Sequence, residues 1–126
     1  MKRDMNLVRE ILIRLEPLDA HAHKAVRLVV GITPLDIPNY STDEVIYHLL
    51  IMTQGGLINS GGINIAKNTM DQYFGLSWDG HEFLDEVRDP KKWAKLQTMA
   101  EKAGGMGLNA LLELGKAYVR THGIPL

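Results

Sequence analysis

An α+β domain is predicted by three features of the sequence. Apolar residues recur at helical spacing between Asp4 and Pro17. Alternating apolar stretches flank an Asn59-Ser60-Gly61-Gly62 turn. Two pairs of adjacent glycines, Gly55-Gly56 and Gly104-Gly105, close helical patterns. The 126 residues make one domain, long enough to bury a core without covalent staples. With 45% hydrophobic and 23% charged residues, the composition excludes a disordered or fibrous chain. Lys and Arg total 14 against 15 acidic residues, a formal charge of -1, which excludes a polybasic nucleic-acid binder. The absence of cysteine excludes disulfides and thiolate zinc sites and fits a reducing cytoplasm. Apolar runs are short and broken by charges, and the N-terminus lacks the apolar core of a signal peptide, so a cytoplasmic chain is expected.

The first helix is expected to start at Asp4, as N-cap, and to stop before Pro17. Val8, Ile11, Leu12 and Leu15 form its apolar face, with Arg3, Arg9 and Arg14 toward water. Residues 17–40 hold three of the five prolines, and the alternation of Val26, Leu28, Val30 and Ile32 predicts a strand ended by Pro34. Ser41-Thr42-Asp43-Glu44 is a capping box, and Tyr40 can staple onto Val45. The helix it opens runs to Gly55-Gly56. Val45, Ile46, Leu49, Leu50 and Met52 share its inner face, and Glu44, Tyr47, His48, Ile51 and Gln54 its outer one. Leu57 and Ile58 begin a strand, Ile63 and Ile65 resume the alternation, and Met70–Leu76 returns as a second arm around a tip at Lys67-Asn68-Thr69. Ser77 caps a helix carrying Phe83, Leu84 and Val87 inward. Asp89-Pro90 opens another with Trp93, Leu96, Ala100 and Ala103 as its apolar positions. A last helix is expected over Leu108–His122, with Leu111, Leu112, Gly115, Tyr118 and Val119 on one face.

This order of elements is that of a winged helix-turn-helix core, residues 1–88, with two additional C-terminal helices, residues 89–126, packed on it in a single domain. Gly75 to Leu84 resembles the exit from the wing of bacterial winged-helix regulators, where a leucine and a serine or threonine precede a glycine and a leucine-bearing helix. Met1-Lys2-Arg3-Asp4-Met5 with Leu7–Leu12, Tyr40-Ser41 through Tyr47-His48-Leu49, and Trp78-Asp79-Gly80-His81 are together similar to a bacterial and prophage-associated family, a domain of unknown function with a winged-helix-like fold. The similarity covers roughly residues 1–105 by segment spacing, departs most between His21 and Pro38, and implies no catalytic or binding residues. What it does imply is a winged-helix module of phage type and, at family level, a DNA-binding regulator.

The charges argue back. Residues 41–88 carry only Lys67 and Arg88 against seven acidic side chains, and Ser41 to Gly56 has no Lys or Arg. Phosphate contacts supply most non-specific DNA affinity, so the helix that should read DNA is the wrong one electrostatically. The alternative is a protein-interaction adaptor, or an inhibitor of a host factor, working through the acidic 41–88 face. The candidate partner-binding residues are Tyr47, His48, Ile51 and Gln54, with Lys67 at the wing tip; backbone contacts from Lys91, Lys92 and Lys95 are a further DNA mode. Asp19, His21 and His23 have the spacing of a chelate in an extended chain, but a polar loop is the expected reading, with no metal and no cofactor. His48 with Glu44 and His81 with Asp85 have the spacing of helix-surface ion pairs. No nucleophile elbow, zinc-helix or phosphate-loop motif occurs, so no enzyme is expected. The C-terminal helices are the expected element of a homodimer.

Overall fold

The computed structural model describes residues 1–102, so the expected Leu108–His122 helix and Ala103 lie outside the described residues. The chain forms two compact units, Met1–His81 and Glu82–Leu126. The architecture is mixed α+β: α1 (Met5–Leu15), β1 (Val26–Val29), α2 (Thr42–Gln54), β2 (Ile58–Ser60), β3 (Thr69–Leu76), α3 (Trp78–Val87) and α4 (Pro90–Lys102). Among the described residues, no helix is long and apolar enough to cross a membrane.

In the first unit, Asp4 caps α1 by accepting from the amides of Asn6 and Leu7, which lack partners inside the helix. Val8, Ile11, Leu12 and Leu15 are buried as their spacing requires, and Leu7 joins them. The three strands form an antiparallel sheet in the order β1-β3-β2, so β3 is central and sends Met70 and Tyr73 into the core. Ser41 and Glu44 close the capping box reciprocally at the start of α2. At its end Gly56, at φ +79, takes the left-handed turn that releases the chain into β2. Val45, Ile46, Leu49 and Met52 face inward, whereas Leu50 is only half-buried.

Three expectations are corrected. The first strand ends at Val29 rather than Ile32, because Gly31 (φ +96) turns the chain and leaves Ile32 62% exposed. The connection to α2 instead buries Leu35 and Ile37, which no periodicity marks. Ile63 and Ile65 do not continue β2: residues 61–68 form a turn, bridged at Asn64 and Thr69, and Ile65 is 67% exposed. Arg14 does not simply face water. Its guanidinium reaches Glu10 at 2.8 Å, the Pro34 carbonyl at 3.1 Å and Asp36 at 3.2 Å, pinning the connection to α1.

In the second unit, Asp89 caps α4 through the amides of Lys91 and Lys92. Phe83 and Trp93 meet edge to face at 6.4 Å. Lys92, grouped with Lys91 and Lys95 as a basic cluster for backbone contacts, is 3% exposed, and its ammonium meets the Glu86 carboxylate at 2.6 Å. The long side chain is drawn inward because Glu86 supplies the charge partner that burial demands.

Candidate functional site

The outer face of α2 begins at the capping box and ends at Gly55-Gly56. Tyr47, Ile51 and Gln54 follow each other at helical spacing; the first two are half-buried and Gln54 is exposed. His48, expected beside them, is not on this surface. It is 1% exposed, Nε2 accepts the Asp4 backbone N–H at 2.8 Å, and Nδ1 lies 2.7 Å from the Glu44 carbonyl oxygen. The expected His48–Glu44 side-chain ion pair is therefore replaced by a backbone contact, because the capping box already holds the Glu44 carboxylate on the Ser41 amide. The reason for the burial is tertiary. The N-cap amide of α1 has no acceptor within its own helix, and α1 packs on α2 so that the imidazole supplies one. The Tyr47 ring stands edge-on to His48, centroids 5.6 Å apart, so a buried imidazole supports an accessible phenol.

Asp4 is the meeting point of three segments. Its backbone N–H donates to His48, and its carboxylate, besides capping α1, accepts the Tyr40 hydroxyl at 3.1 Å. Burial, helped by that carboxylate, raises the Tyr40 phenol above its ordinary value.

Lys67 is exposed, its backbone N–H donating to Asn64 Oδ1. It precedes β3, whereas the far end of β3 meets the end of α2 through the Ser77 N–H on the Leu57 carbonyl. The length of β3 therefore separates Lys67 from that junction, roughly 24 Å at strand rise. The hairpin tip and the C-terminal end of α2 are two places rather than one.

A further feature was not singled out by periodicity. The Ser77 hydroxyl also donates to the Gly56 carbonyl, so Trp78 emerges at the C-terminal end of α2, and its side chain is 80% exposed. Gly80 approaches the Leu57 carbonyl so closely that a Cβ there would lie 2.1 Å from it, which holds the start of α3 at this junction. The sequence carried one usable signal. From Val45 to Ala66 there is no Asp, Glu, Lys or Arg, so the body of α2, β2 and most of the hairpin turn is one uncharged surface.

The basic side chains of this unit are largely engaged. Besides Arg14, Lys24 pairs with Asp19, and Arg27 meets Asp71 at 3.2 Å. These contacts hold both carboxyls below their ordinary values: Asp19 chiefly by its hydrogen bond from Lys24, Asp71 chiefly by the Thr69 hydroxyl, then Arg27. Asp19 is thus turned to Lys24, and the His23 amide donates to His21 Nδ1 in a tight turn. His81 lies 3.6 Å from Glu16 rather than pairing with Asp85, since α3 begins beside the end of α1.

A family model described as a hypothetical protein (DUF2513) matches residues 2–106. A Haemophilus influenzae protein, described only as uncharacterized, is 28% identical over 120 residues, spanning 94% of this chain and 96% of its own length. No solved structure matches.

Proposed function

The chain belongs to the DUF2513 family of hypothetical proteins, and from that membership and the surface described above we propose a non-enzymatic, winged-helix-like module of phage and prophage type that acts on a protein partner in the bacterial cytoplasm. The winged-helix likeness is supported by the β1-β3-β2 order and by a hairpin that follows α2 directly. The observation that carries the partner class is the outer face of α2. It presents Tyr47, Ile51 and Gln54 with no Lys or Arg, and the 80% exposed Trp78 stands at its C-terminal end. Depletion of charge with aromatic side chains at the edge is the composition of a protein–protein contact. A phosphate backbone would require cations there. The His48 nitrogens are both committed to backbone groups, so the imidazole is not presented on this face.

The second reading, a DNA-binding regulator, is favoured by Lys67 near the exposed hairpin tip and by Lys2 and Arg3 next to Asp4, the residue bonded to α2. A duplex-DNA titration at low and moderate salt, run beside a pull-down from host lysate, separates the two. On the protein reading, duplex retention stays at background at both salts. Tyr47→Ala and Trp78→Ala each weaken capture of the same host protein by about 2 kcal/mol, some thirtyfold, without loss of fold. Micromolar duplex binding that collapses with salt, and that falls further in Lys67→Ala, overturns it.

A further inference from the structure

We propose that His48 is a proton-operated latch that holds the lead-in to α1 against α2. The contacts determine the tautomer. A backbone N–H can only donate, so Nε2 facing Asp4 carries no proton. A carbonyl oxygen can only accept, so Nδ1 facing Glu44 carries one. The ring is satisfied only as the neutral Nδ1–H form. A second proton has a single place to go, Nε2, where it meets the Asp4 N–H head to head and breaks the 2.8 Å contact.

The surroundings offer no cost-free rearrangement. From the α1 side the ring faces Asp4, preceded by Lys2 and Arg3; from α2 it faces Glu44 and the Tyr47 ring; from the connection before α2 comes the Tyr40 hydroxyl on Asp4, which also feels Glu10. Glu44 is held by the Ser41 amide, and the Asp4 carboxylate by the amides of Asn6 and Leu7 and by Tyr40. If Asp4 turns its carboxylate to the new Nε2–H, it uncaps α1 and releases Tyr40. If it does not, the imidazolium is left with two opposed N–H groups in a 1% exposed site. By either route acid uncouples the first residues of α1 from α2, beneath Tyr47. The latch stands on its own geometry and holds whichever partner class meets the outer face.

The test is NMR on the 126-residue chain, with His21, His23 and His81, all exposed, as internal references in the same spectrum. At neutral pH the imidazole nitrogens of His48 are expected to report the Nδ1–H tautomer, with a scalar coupling across the hydrogen bond from the Asp4 amide nitrogen to Nε2. On acidification this coupling vanishes in step with His48 protonation, and the protection factors of the Asn6 and Leu7 amides fall at least tenfold. In His48→Gln, whose side-chain carbonyl can still accept from Asp4, the protection no longer follows acid. An Nε2–H tautomer at neutral pH overturns the proposal, as does protection at Asn6 and Leu7 that survives protonation of His48. The wild-type measurements decide the matter even if the variant fails to fold.

Discussion

Tyr73 carries the clearest single-residue consequence of the core. Its ring is fully buried on the central strand, and its hydroxyl donates to the Leu15 carbonyl at 3.3 Å, a contact spanning 58 residues of chain. Leu15 ends α1, so its carbonyl lies beyond the helix's own bonding and accepts the Leu18 amide at 3.2 Å beside the Tyr73 hydroxyl. Burial is the main reason the phenol is held far above its ordinary value of 10.0, and the Glu16 carboxylate adds to it. The sign follows directly. The unfolded phenol releases its proton near pH 10 while the folded one keeps it, so this stability is intact below pH 10 and declines as pH rises beyond. Urea unfolding as a function of pH is expected to show that alkaline decline in wild type and a smaller one in Tyr73→Phe. At neutral pH the same variant should lose about 1 kcal/mol, the net worth of the hydrogen bond. A variant with an unchanged alkaline limb would mean that the phenol is not the group responsible.

At the scale of elements, local chemistry and tertiary contact divide the work. The start of α2 is written locally: Ser41 and Glu44 each satisfy the other's backbone amide, so Ser41→Ala should destabilise the fold by about 1 kcal/mol and speed amide exchange in the first turn of α2. Exchange unchanged in that turn would show the cap to be dispensable. In the second unit the Glu86–Lys92 pair is buried, with side-chain exposures of 19% and 4%. Glu86→Ala strands an ammonium in an apolar setting and should cost about 3 kcal/mol, whereas Lys92→Met with Glu86→Gln should recover most of it. Thermal denaturation of the single and double variants distinguishes a buried pair from an ornamental one. Equal stability of Glu86→Ala and wild type would place the ammonium in water.

For the whole molecule, the chain passes from one compact unit to the next inside α3 rather than through a linker, since the boundary between His81 and Glu82 falls within Trp78–Val87. The first turn of this helix is tied down by the Ser77 N–H on Leu57 and by the approach of Gly80. The first turn of α3 should therefore open with the Met1–His81 unit, its Gly80 and His81 amides exchanging as slowly as that unit's core amides. Faster exchange at these two amides would show that the contacts with Leu57 do not hold the turn.

What the sequence determined by itself was whatever neighbouring residues decide among themselves. The Asp4 and Asp89 caps, the Ser41–Glu44 box, the left-handed Gly56 and the buried faces of α1 and α2 are all local, because helix ends and amphipathic faces are set within a few residues of chain. The tertiary structure alone decided the fate of side chains whose partners are distant. His48 lies on the outer face by helical spacing, yet it is buried because an amide 44 residues away needed an acceptor. Lys92 left a basic cluster for Glu86, Leu35 and Ile37 entered the core without a pattern, and Trp78 stayed exposed at a junction made by Ser77 and Gly56. Periodicity reports which side of an element a residue occupies; only packing determines what that side meets, and a buried polar group goes where its hydrogen bonds can be completed.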